Sequence, residues 1–168
     1  MEFRTCRRHW GAEFISDDVV RFRVWAEGQK DLTLRLTDTD IPMAAVGDGW
    51  FQVDVPGVRH GTPYQFVLQD GMAVPDPASR AQQADVNGPS VVIDPRHNLP
   101  AQREWQGRPW EETVIYEMHI GTFTGEGTFR AAIDKLPYLA ELGITQLEVL
   151  PVSQFGGARG WGYDGVLL

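Results

Sequence analysis

At 168 residues the chain has the length of one ordinary domain or two small ones. Its 42% hydrophobic and 23% charged residues describe a globular chain rather than a disordered one. The formal net charge of -8 repels phosphate, which excludes the non-specific nucleic-acid binding that Lys and Arg support.

The lone cysteine, Cys6, allows no internal disulfide and suits a reducing cytoplasm. The start, MEFRTCRRHW, has no apolar segment of the signal-peptide kind, and no apolar run approaches the ~18 residues of a membrane span. A cytoplasmic protein without a membrane partner is therefore expected. Six Trp suit both a core and a flat ligand face.

The first part predicts strands. In VVRFRVWA, Val20, Phe22 and Val24 share one face and Arg21 and Arg23 the other. LTLRLTD continues that period. GDGWFQVDVPG reads as turn, strand and Pro-Gly stop, and HGTPYQFVLQDG as another strand. Short strands separated by Gly, Pro and Asp predict an all-β, immunoglobulin-like antiparallel sandwich over residues 1–95. Between Val74 and Pro109 the chain turns rich in Pro, Asn, Gln and Asp. Val91, Val92 and Ile93 are expected to form a last sandwich strand, and the rest to be linker laid over a surface, with 96–112 joining two domains.

The remainder, 113–168, predicts α/β structure. TVIYEMHIGTF resembles a parallel strand buried on both faces. Thr128 can cap a helix from Phe129, with Phe129, Ile133, Leu136, Leu139 and Leu142 as its apolar stripe and Gly143 as its stop. Pro137 predicts a kink or break. TQLEVLPV is a second strand, completing a βαβ unit. The expected architecture is the start of a (β/α)8 TIM barrel. Such a barrel takes about 250 residues, so about two of its eight units fit here, and a fragment, or a chain needing a partner to cover it, is expected.

Motifs that carry chemistry are scarce. There is no phosphate-binding P-loop, no complete dinucleotide fingerprint and no nucleophile elbow. His9, His60, His97 and His119 contain no i, i+4 pair, so neither a metal nor a cofactor is expected. In YEMHIG, Glu117 and His119 share a face if the strand is extended. Either His119 hydrogen-bonds a substrate hydroxyl, or Glu117 fixes the His119 tautomer in a structural pair. Glu148 would join that polar layer. In WGYDG, Tyr163 can stack on a sugar ring and Asp164 can accept from its hydroxyls; alternatively this is a Gly-rich turn in which Trp161 and Tyr163 pack. Trp25 and Trp50 could form a carbohydrate platform, although core packing is the expectation for both.

Taken together, VIYEMHIGTFTGEGTF, AAIDKLPYLAELGITQLEVLPVSQF and WGYDGVLL resemble the opening of the catalytic barrel in the α-amylase family of glycoside hydrolases. GAEF, VRFRVWA, GWFQVDVPG and GTPYQFVL resemble the starch-binding-like sandwich that precedes that barrel. VPDPASRAQQADVNGPSVVIDP most resembles the trehalose-releasing members. The resemblance implies a parent enzyme that hydrolyses the α-1,4 bond of maltooligosyltrehalose by a retaining mechanism with paired carboxyl groups. It places those carboxylates beyond Leu168, so no catalytic residue is assigned here and the fragment alone is expected to be inactive. It assigns substrate contacts to Tyr163, Asp164 and His119. A branching or debranching enzyme and a non-catalytic carbohydrate-binding module are the alternatives. Gly160 stands where many relatives carry Asn.

Overall fold

The structure is a computed structural model that describes residues 10–98 and 107–167. Cys6, His9 and part of the expected 96–112 linker lie outside those residues. The described chain divides into two units, one of 10–98, 154–156 and 166–167, the other of 107–153 and 157–165.

Alternation builds the first unit. Its strands are β1 (Gly11–Phe14), β2 (Val19–Trp25), β3 (Thr33–Leu36), β4 (Thr39–Pro42), β5 (Ala44–Ala45), β6 (Trp50–Pro56), β7 (Pro63–Val67), β8 (Ala73–Val74) and β9 (Ser90–Val91). They form a four-stranded sheet in the order β1-β2-β6-β5 and a five-stranded sheet in the order β4-β3-β7-β8, with β9 also on β7. Each pairing in these two sheets is antiparallel. The long β2–β6 register, from Val19 opposite Pro56 to Trp25 opposite Trp50, turns Val20, Phe22 and Val24 inward with Phe51. Leu34, Tyr64 and Phe66 face them from the other sheet, and the Phe22 and Tyr64 rings meet edge to face at 4.9 Å. Burying an aromatic such as Phe22 contributes about 1.5–3 kcal/mol, so a few such residues decide whether the sandwich forms.

The stretch from Val74 to Asp94 differs from the expected surface linker. Asp76, Ser79, Ser90 and Asp94 are buried, as is Val92. The Asp76 carboxylate accepts from the Tyr64 hydroxyl at 2.7 Å and from the Ala78 amide at 2.7 Å. The Asp76 amide donates to Ser90 Oγ at 2.9 Å. A polar stretch can lie inside a protein when its groups satisfy one another, and here they do. The last sandwich strand is Ser90–Val91 rather than 91–93.

In the second unit β10 (Ile115–Met118) pairs in parallel with β11 (Gln146–Val149). Between them run α1 (Ile120–Phe123), α2 (Phe129–Ile133) and α3 (Leu136–Glu141). Thr128 caps α2, its side chain accepting from the Ala131 amide at 3.2 Å. The expected break falls at Asp134–Lys135, and Pro137 opens α3, where a proline is compatible with helix. Gly143, at φ 94°, ends α3, with its amide bonded to Ala140 O and the Ile144 amide to Leu139 O. Those paired bonds form a Schellman motif.

Two expectations fail here. The strand expected across TVIYEMHIGTF ends at Met118, and IGTF is helical because its amides turn back onto His119 O. Nor is β10 buried on both faces: within it only Met118 is buried. The helical stripe is likewise uncovered, with Leu139 buried but Phe129, Ile133, Leu136 and Leu142 exposed. Periodicity identifies the apolar face of a helix, not the surface that covers it.

Candidate functional site

His119 follows β10 directly and occupies the N-cap position of α1. Its Nε2 lies 2.8 Å from the Gly160 carbonyl oxygen. A carbonyl only accepts, so Nε2 carries the proton in this bond. Nδ1 lies 3.4 Å from Thr122 Oγ1. Both ring nitrogens therefore face protein atoms, and the expected Glu117–His119 pair is replaced by these contacts, because the strand ends before His119. Glu117 does sit opposite Glu148 in the β10–β11 register, and both are exposed.

The loop that receives His119 lies close to the end of β11. Gly162 is buried at φ 99°, and a Cβ there would stand 2.2 Å from the Pro151 carbonyl oxygen. Only glycine allows this approach. On either side of it Trp161 is 81% and Tyr163 71% exposed. Neither ring packs against other described residues of the turn. Asp164, beside Tyr163, is exposed too. The loop presents a flat aromatic ring with a hydroxyl and an adjacent carboxylate, a combination suited to a polyhydroxylated ring.

Trp25 and Trp50 depart from the expected core packing. They lie opposite each other in the β2–β6 register, in phase with Arg21 and Arg23 and hence on the outer face. Trp25 is 49% exposed, its Nε1 donating to Asp48 O at 3.0 Å, and the Arg23 guanidinium stands 4.6 Å from the Trp50 ring centroid. Arg–aromatic stacking supports this outward pose. The Arg23 Nε is buried with no hydrogen-bond partner.

Titratable groups in the first unit are set by local partners. Burial raises the Asp76 carboxyl above its usual range, against the lowering effect of its Tyr64 and Ala78 hydrogen bonds. Burial likewise pushes the Tyr64 hydroxyl well up. Asp94 is held low by its hydrogen bonds with Arg96, which also pairs with Asp17. His60 and His97 stack at 4.6 Å, and the Asp94 amide donates to His60 Nδ1 at 3.1 Å. Sequence reasoning missed both the Asp76 and the His60 clusters, because residues as far apart as His60 and His97 share no local pattern. Among the described residues no group of three or more His, Cys, Asp or Glu is placed to hold a metal ion, and no helix is long and apolar enough to cross a membrane.

No protein-family model matches the chain. It is 43% identical over 155 residues to a malto-oligosyltrehalose trehalohydrolase of Saccharolobus solfataricus, covering 92% of this chain and 28% of that protein. A 1,4-alpha-glucan branching enzyme of Streptomyces coelicolor is 30% identical over 180 residues, with 92% of this chain and 23% of that protein covered. Among solved structures, a putative alpha amylase from Salmonella typhimurium superposes with a TM-score of 0.93 at 65% identity, over 96% of this chain and 28% of that one. A pullulanase from Anoxybacillus sp. complexed with maltotetraose shares the fold, with a TM-score of 0.79 at 22% identity over 94% of this chain and 28% of that one.

A mostly-sheet chain with antiparallel sheets and few helices, so matched, is similar over most of its length to one portion of enzymes of the α-amylase family of glycoside hydrolases. Within that family its sequence is of the malto-oligosyltrehalose trehalohydrolase kind. The chain spans 28% of the Saccharolobus protein's length.

Proposed function

We propose that the chain forms the sandwich and the opening strands of a (β/α)8 barrel in an enzyme that cleaves the α-1,4 bond joining trehalose to a malto-oligosaccharide. In this reading Tyr163 stacks on the sugar ring beside the cleaved bond, and Asp164 accepts hydrogen bonds from that sugar. The observation that carries it is the exposed Tyr163 ring, with Asp164 beside it, on a loop following the second strand of a parallel pair. Loops after parallel strands form the active face of such barrels. The identity to trehalohydrolases supports this reaction over branching.

A retaining glycosidase needs two carboxyl groups about 5–5.5 Å apart, one as nucleophile and one as acid and base. By the family resemblance these lie on later strands of the barrel. Glu117, Glu148 and Asp164 take neither role, and the 168-residue chain alone does not hydrolyse its substrate.

Incubating maltooligosyltrehalose with the purified chain, and separately with a protein that continues it through a complete barrel, tests both statements. Free trehalose is expected from the longer protein only. Trehalose release by the 168-residue chain sinks the assignment of the carboxylates. A transferred branch in place of trehalose sinks the reaction and favours the activity named for the Streptomyces relative.

A further inference from the structure

We propose that His119 is a positioning residue, which presents the Tyr163 ring by holding the 160–164 loop through the Gly160 carbonyl and does not itself touch the sugar. This rests on the reading of Tyr163 as a sugar-stacking residue. The loop has two anchors. His119, immediately after β10, bonds Gly160 O at 2.8 Å. Pro151, two residues after β11, receives the buried Gly162. The residues between and beyond the anchors, Trp161 and Tyr163, are the exposed ones.

Gly160 and Gly162 bring no side chain of their own to restrict the backbone, so the pose of this segment is set by what its backbone touches. The imidazole is itself held. Its Nδ1 faces Thr122 Oγ1, and Gly121 leaves the ring its space, since a Cβ there would stand 3.0 Å from His119 Cε1. With Nε2 committed to Gly160 O, the nitrogen that could donate to a substrate oxygen is taken, and Nδ1 is turned toward Thr122 Oγ1. Because misplacing a binding group by about 1 Å can lower a rate about 100-fold, the anchor matters to activity although it is not a contact.

The test is a double-mutant cycle in the full-length enzyme that contains this chain, using His119→Ala and Tyr163→Ala and measuring kcat/KM on maltooligosyltrehalose. His119→Ala alone is expected to lower kcat/KM about 10–100-fold. In the Tyr163→Ala background the same change is expected to add almost nothing, because the group it positions is gone. His119→Gln, whose amide nitrogen can replace the Nε2 donor, is expected to recover most of the activity, and His119→Asn, with a shorter reach, to recover little.

Additive losses in the cycle, or a Gln variant as impaired as the Ala variant, overturn the proposal in favour of direct sugar contact by the ring. An unchanged His119→Ala enzyme also overturns it. If His119→Ala does not fold, the Gln and Asn variants, each crossed with Tyr163→Ala, carry the comparison. Should the enzyme not release trehalose, the same cycle is read on maltoheptaose binding followed by Trp fluorescence. Failure of the reaction assignment is thereby separated from failure of this one.

Discussion

Asp76 has no solvent exposure, and its carboxyl is held by the Tyr64 hydroxyl and the Ala78 amide. Burial raises its folded pKa above the unfolded value, so between those two values the folded state binds more protons than the unfolded state. Stability contributed this way is present in full below the unfolded pKa and is lost as pH rises through the raised folded one. Urea unfolding of the chain from pH 4 to pH 7 is expected to show a component that falls with pH and is absent from Asp76→Asn; an equal pH dependence in the variant contradicts it. None of this was legible beforehand. Asp and Ser in a Pro-rich stretch read as solvated, and only tertiary pairing with Tyr64 takes them inside. From the WGYDG motif alone Tyr163 and Asp164 read equally as a sugar-contacting pair and as part of a turn, and only the family resemblance favoured the first. The His119 contact was not, because its partner is a backbone carbonyl 41 residues away and carries no side-chain signal.

The helices show where local rules suffice. Thr128, Pro137 and Gly143 each act where their chemistry directs: cap, first turn and left-handed stop. Replacing Gly143 with Ala keeps the helix but forces a Cβ into the left-handed region at φ 94°, at a cost of about 1–2 kcal/mol. A lower urea midpoint for that transition is the expected result, and an unchanged midpoint contradicts the Schellman role. Alternation likewise identified the inward faces of β2 and β6. It also carried the information that Trp25 belongs with Arg21 and Arg23, yet the bulk of an indole favoured the core. The β2–β6 register follows the alternation, with Arg23 over Trp50 and the Asp48 carbonyl taking the Trp25 indole proton.

For the molecule taken whole, the uncovered apolar residues of the second unit are the dominant liability. Phe129, Ile133, Leu136, Tyr138 and Leu142 are all exposed on or beside α2 and α3. Contiguous apolar surface of this kind promotes association. Light scattering of the isolated 168-residue chain is expected to show species larger than a monomer, and a clean monomer at micromolar concentration contradicts this. The sandwich has the opposite character, since among the described residues its hydrophobic core draws its buried members from Val20 to Val92. That segment leaves the ribosome before α2 and α3 are made, and domains fold as units, N-terminal first. The sandwich can therefore collapse onto its own core during synthesis. The helices, whose apolar stripe is mostly exposed within the described residues, are made only after that core is complete.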